Sequence, residues 1–403
     1  MLLLLLIPLV CFGLTLRQAE ELALKNFYTV KKERALLKAS AAKIKEAKAK
    51  LLPSFTFSFG TYRTRAQTYA LELPFFNAEL TFLRSSFWRV RALLTQPLLS
   101  PVALASVKLK EATLKRREGR LELTKSELRL RVRRAYFKAL VLQARLKTLE
   151  AQKERLSEHL RRVKALYEEG VVPFKDVLET RVALSRVESA LAYHEASYLN
   201  ALELLSFYAG VKVKRVEPPP PPKLEGTPLN HPSLRLLRAA LEELERSKEL
   251  VEASFLPELT AYALLERTDE SPLLPKNRYY LALELRWLLF NGGTRLARLE
   301  ALSRRREALL NELKKTEEEL LLRARALRRE AEALKLRVES ARERLEEALE
   351  HYRLAVEKYR HGLAVNAEVL DAEAYVTEAQ ETLRVARLNY LLKLYELAEV
   401  LGR

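Results

Sequence analysis

Apolar positions recur with a helical period of 3.6 along most of this chain and switch to a period of two in four short stretches. Leu16, Ala19, Leu22, Ala23 and Phe27 form the stripe of a helix predicted over 14–50, with Thr15 placed to cap it. Pro53 ends that helix, because proline disfavours helical backbone in the residue before it. Phe55, Phe57 and Phe59 then alternate with small polar residues, which predicts a strand over 53–62. A second strand, 87–97, puts Trp88, Val90, Ala92 and Leu94 on one face and Arg89, Arg91 and Leu93 on the other. Residues 63–86 between them read as a loop too long for a tight hairpin.

Helical periodicity resumes over 101–168 with no proline inside it. At 1.5 Å per residue this is about 100 Å of helix, which cannot fold onto one compact core and must pack side by side as a coiled coil. Gly170 and Pro173 mark a turn into a returning helix, 173–209. A linker, 216–229, holds five consecutive prolines and so is stiff and extended.

From Asn230 the pattern begins again. A helix leads to Pro257, then strands over 257–266 and 279–290, a long helix over 294–359 and a returning helix over 365–401. In the last strand Tyr279, Leu281, Leu283, Leu285 and Trp287 share one face, and Glu284 and Arg286 the other. Tyr167-x-x-Gly170 and Asp176-Val177-Leu178 return 192 residues later as Tyr359-x-x-Gly362 and Glu368-Val369-Leu370. The chain is therefore read as two structural repeats, 14–215 and 230–403, mainly α with a small β part. Both turns are expected at the same end, away from the strands. Four strands cannot close a barrel, whereas a homotrimer supplies twelve, which close without an open edge.

Composition narrows the function. The first thirteen residues, Met1 to Gly13, include Leu2 to Leu6 and are too short to span a bilayer; they are expected to be a secretory signal peptide, with a lipidated Cys11 as the lesser alternative. An exported chain belongs in the periplasm, the outer membrane or outside. A net charge of +18 points toward nucleic acid, but Lys and Arg alternate with Glu along the helices, as on a solvated helical face, so no nucleic-acid partner is expected. One cysteine excludes an internal disulfide framework, and five dispersed histidines offer no metal-ligand pair. No phosphate loop, nucleophile elbow or zinc motif is present, so neither an enzyme nor a cofactor or metal is expected.

Two readings of the phenylalanine face remain open. It can be the core of a sandwich, in an exported periplasmic coiled-coil scaffold without a pore, or it can face lipid. Strands of nine or ten residues have the length a tilted strand needs to cross a bilayer, and Arg89 and Arg91 on the reverse suit a wet lumen.

The segments Tyr359-x-x-Gly362, Glu368-Val369-Leu370-Asp371-Ala372, Ala386-Arg387-Leu388-Asn389-Tyr390 and Leu401-Gly402 resemble those of TolC-type outer membrane efflux proteins. Leu14-Thr15-Leu16, Leu52-Pro53, Leu256-Pro257 and Trp287 to Gly293 fit the same pattern, so the resemblance covers the chain after its leader. It implies a trimeric channel-tunnel, with a β-barrel in the outer membrane and a helical barrel in the periplasm. Its partners are outer membrane lipids, a periplasmic adaptor and an inner-membrane RND or ABC pump, in efflux or type I secretion. It further implies that Phe55, Phe57, Phe59, Trp88 and Trp287 face lipid, while Arg89, Arg91, Glu284 and Arg286 face the lumen. Glu368 and Asp371 would form the periplasmic constriction ring; read alone, they are an acidic first turn that suits the helix dipole. Tyr359 and Asp176 would form a gate link, and Gly170, Val171, Gly362 and Leu363 the turns where adaptors dock. A second link in this family uses an arginine where this chain has Ala364, and Lys175 stands at its partner's place.

Overall fold

The computed structural model describes residues 13–73 and 76–402. The predicted leader, with Cys11, therefore lies outside the described residues apart from Gly13. The chain is mostly helical with a small sheet portion, in two compact units. Each unit draws segments from both sequence repeats.

The first unit comprises 1–34, 120–235 and 314–403. It contains α1 (Leu16–Asn26), α4 (Phe174–Ala209), α7 (Asn366–Val400) and the later parts of α3 (Pro101–Glu168) and α6 (Thr294–Arg360). Thr15 and Gln18 close a reciprocal capping box at the start of α1. The single helix expected over 14–50 is broken: Phe27 is extended at φ −69° and ψ 136°, and α2 (Tyr28–Ala49) follows it. Phe27 is buried with its ring 5.4 Å from both Phe207 and Tyr208, so aromatic packing against α4 outweighs helical continuity there. The start of the chain is tied to the linker. Leu14 forms a parallel bridge with Val216, and the buried Tyr136 hydroxyl lies 2.5 and 2.7 Å from the Leu14 and Glu217 carbonyl oxygens.

The second unit comprises 35–119 and 236–313. It contains α5 (Pro232–Ala253) from Leu236 onward and a four-stranded antiparallel sheet, with β1 (Ser54–Arg63), β4 (Ser86–Leu99), β5 (Glu258–Thr268) and β6 (Asn277–Arg286) adjacent in that order. Residues 63–86 are not simply a loop. They contain a second, two-stranded sheet, β2 (Gln67–Leu73) with β3 (Phe76–Leu83), whose strands pair only with each other. The last strand also ends sooner than the expected 279–290. Arg286 pairs with Glu258, the first residue of β5, and the residue before that is Pro257, which has no N–H for a ladder. With no partner beyond Arg286, Trp287 leaves the sheet and its indole N–H donates to the Phe255 carbonyl at 2.9 Å. Ser100 caps α3 by accepting from Ala103 N–H at 3.3 Å, with Pro101 at the first helical position.

Candidate functional site: a two-faced sheet and a paired helix turn

Strand register decides which side chains share a face. Phe55, Phe57 and Phe59 pair with Leu94, Ala92 and Val90, and Thr61 pairs with Trp88. Ala92 and Leu94 pair in turn with Leu265 and Ala263, which pair with Tyr279 and Leu281. Ala261 with Leu283 and Leu259 with Leu285 complete the surface. This face of the four strands is apolar over these positions and gives way to Arg63, Arg267 and Asn277 at one end, and it is uncovered within the chain: Phe57 is 65% exposed, Leu281 83% and Leu283 70%. A patch of this kind marks contact with protein or membrane. Trp88 shares this face and is half-buried, whereas Trp287, also predicted for it, lies past the end of β6.

The opposite face is ionic. Arg89 Nη2 donates to Glu270 Oε2 at 2.5 Å, Arg91 bonds Glu266, and Arg278 reaches both glutamates at 3.5 and 3.2 Å. Arg286 and Glu284 pair at 2.7 Å. Glu266, Glu270 and Arg278 were missed by the sequence reading. Their signal was parity: Glu266 lies directly across from Arg91, which becomes visible only once the register is known.

The helix turns are built twice in the same way. Gly170 is left-handed at φ +74° and donates to the Tyr167 carbonyl at 2.9 Å, while Val171 N–H bonds the Leu166 carbonyl at 2.8 Å. Gly362 at φ +69° donates to Tyr359 at 3.1 Å, and Leu363 bonds Lys358 at 2.9 Å. These paired bonds satisfy the last carbonyls of each helix and need a residue without a Cβ. Val171 and Leu363 project outward, 60% and 76% exposed.

Beneath the turns the two helical hairpins, α3–α4 and α6–α7, share a core. Val163, Val177, Ala355, Tyr359, Val369 and Ala372 are buried together, and Ala364 packs against them. An arginine at position 364 would have to leave this apolar contact, and Lys175 pairs instead with Glu179 along its own helix at 3.4 Å. Within this core the Tyr359 hydroxyl donates to Asp176 Oδ2 at 3.0 Å. Burial, and then the Asp176 carboxylate, push the phenol well above its ordinary value, so it remains a donor. Glu368 and Asp371, three residues apart on α7, are both exposed on one side of that helix.

A second polar layer was not predicted. His159 Nε2 lies 2.8 Å from Asn366 Oδ1, with both residues buried, and Thr180 Oγ1 is 3.5 Å from the same oxygen. Deeper along the helices Arg155 donates twice to Glu373 Oε1, at 3.1 and 2.8 Å, and once to Thr377 at 2.8 Å. Gln152 donates to Glu373 Oε2 at 2.9 Å. The sequence signal was a polar residue on an apolar stripe. His159 falls between Leu156 and Val163 on α3, and Glu373 between Val369 and Val376 on α7.

A strand pair and a helical hairpin with a long arm over 65 residues each occur twice in the chain, and the four strands present one greasy and one charged face, a combination that fits the class of outer membrane proteins. The chain belongs to the outer membrane efflux protein family, whose profile matches residues 20–211 and 227–403, the two repeats in turn. No curated protein matches it in sequence. In structure it is similar to the outer membrane protein VceC of Vibrio cholerae, with a TM-score of 0.73 at 16% identity over 95% of this chain and 96% of that one. It is likewise similar to the CmeC outer membrane channel of Campylobacter jejuni, with a TM-score of 0.77 at 15% identity over 96% and 85% of the two chains. The open state of the MtrE outer membrane channel of Neisseria gonorrhoeae gives 0.74 at 15% identity over 96% and 88%. At these identities the likeness is one of fold.

Proposed function

We propose that this protein is the outer membrane exit duct of a tripartite efflux or type I secretion system. The observation that carries the reading is the apolar face formed by β1, β4, β5 and β6, uncovered within the chain and backed by an ionic face. β1 and β6 also leave the two outer edges of the sheet without a partner among the described residues. Three chains joined edge to edge supply twelve strands, hide those edges and turn the apolar face to lipid and the ionic face to a water-filled lumen. Export by the apolar leader delivers the chain to the periplasm, from which the barrel inserts.

The duct is passive. Its periplasmic end is narrowed by rings of Glu368 and Asp371, which attract cations. It is held shut by the Tyr359–Asp176 link and opened when an adaptor docks on the Gly170–Val171 and Gly362–Leu363 turns. An RND or ABC pump in the inner membrane supplies the energy. The test is to extract the protein from outer membranes, crosslink it and record ion currents across planar lipid bilayers. A trimer that forms cation-selective channels supports the reading. A detergent-free soluble protein that never conducts overturns it.

A further inference from the structure

The polar bonds made by His159 and Asn366 run between the two helical hairpins rather than along one of them. His159 on α3 meets Asn366, the first residue of α7, at 2.8 Å. Asn366 Nδ2 faces two acceptors on α4, the Asp176 carbonyl and Glu179 Oε2, each at 3.4 Å. Because the amide nitrogen is engaged there, its oxygen faces the ring, and His159 Nε2 must carry the hydrogen and donate it. Thr180 on α4 lies beside the same oxygen. One asparagine thus joins α7 to α3 and α4 at a position 2% exposed. Sliding or tilting one hairpin against the other separates all of these groups together, and a buried donor or acceptor left unpaired is costly.

We propose that His159 and Asn366 form a second lock on the closed periplasmic end, and that proton uptake by this histidine releases it. The proposal rests on the channel reading above and adds to it a positioning pair and a trigger. The groups facing His159 are Arg162 on its own helix, Asp176 on α4, Tyr359 on α6 at 5.6 Å between ring centres, and Glu373 on α7. Burial lowers the pKa of His159 below its ordinary 6.5; the Asn366 bond, Asp176 and Glu373 oppose this, and Arg162 reinforces it. The neutral ring is therefore the form that fits the closed end. When the hairpins part, water reaches the ring and its pKa returns toward the ordinary value. The sign follows: the lock is at full strength above about 6.5 and is lost as pH falls from there through the depressed value.

The experiment is single-channel recording of the purified trimer in planar bilayers from about pH 8 to about pH 5, the range in which histidine titrates. The native protein is expected to gain conductance several-fold as pH falls. His159→Gln keeps a donor for Asn366 but cannot titrate, and is expected to stay closed and lose that rise. Asn366→Ala is expected to conduct several-fold more at the upper end and to respond less to acid. If Asn366→Ala does not assemble, His159→Leu, which removes the donor to the same amide, is read in its place. An acid rise unchanged in His159→Gln overturns the trigger, and native conductance in the Asn366→Ala or His159→Leu variant overturns the lock. Both failures leave a working channel, whereas a native protein that passes no ions at any pH defeats the channel reading itself.

Discussion

The Tyr359 hydroxyl on α6 donates to the Asp176 carboxylate on α4 across 3.0 Å, so a charge-assisted bond joins the two helical hairpins just beneath their turns. Such a bond contributes about 1.5–3 kcal/mol where it is sheltered from water. Tyr359→Phe removes the donor and keeps the ring in its core, and Asp176→Ala removes the acceptor. Each is expected to raise single-channel conductance severalfold in planar bilayers, and the double variant little more than either alone. Native conductance in both variants excludes this pair from the gate.

Glu368 and Asp371 are exposed on one side of α7, away from the core that Val369 and Ala372 enter. Replacing both by alanine is expected to abolish block by multivalent cations and to weaken cation selectivity. The native channel titrated with a trivalent cation provides the comparison. Block that survives in the double variant places the narrowest point elsewhere.

The apolar face of the sheet is expected to refuse charge. Phe57→Arg puts a guanidinium where lipid is proposed, at a cost of about 2–4 kcal/mol near the middle of a bilayer. Ser58→Arg, one residue on, projects from the ionic face and is expected to be tolerated. Insertion into lipid vesicles, followed by denaturant titration, separates the two. Equal losses for both variants argue against a lipid-facing wall.

Arg155 and Glu373 form an ion pair in which the glutamate is 3% exposed. Arg155→Ala strands that carboxylate, and breaking such a pair costs about 3–5 kcal/mol. A lower melting temperature is therefore expected for the helical region. Arg155→Met combined with Glu373→Leu is expected to recover much of the loss, since the site then becomes apolar. A single variant as stable as the native protein shows that water already reaches the pair.

Much of this fold was legible in the sequence because its signals are local. The left-handed glycines at 170 and 362 donate to the residue three back, and the residue after each donates to the one five back, so each stop is built from six neighbouring residues. The phenylalanine alternation in β1 needs nothing but its own pleat. The β2–β3 hairpin was hidden because no Asn-Gly or Asp-Gly joins its strands, and its partners are only each other. The break at Phe27 depends on Phe207 and Tyr208, about 180 residues away in sequence. The site divides in the same way. Tyr359 and Asp176 came from resemblance to a family, while the pairing of His159 with Asn366 spans 207 residues and follows only from how the hairpins nest.

The duplication keeps two different clocks. The helix turns recur after 192 residues, while the prolines that open the strand pairs, Pro53 and Pro257, recur after 204. The first copy is therefore twelve residues longer between its proline and its turn. The surplus is absorbed where β1 passes to β4: that stretch includes the β2–β3 hairpin, whereas β5 passes to β6 across only 269–276. Twelve residues added inside a helix would rotate every side chain after them out of register with its neighbours. The strand connections are thus where the two copies differ in length, while the long helices α3 and α6, at 68 and 67 residues, keep almost the same length.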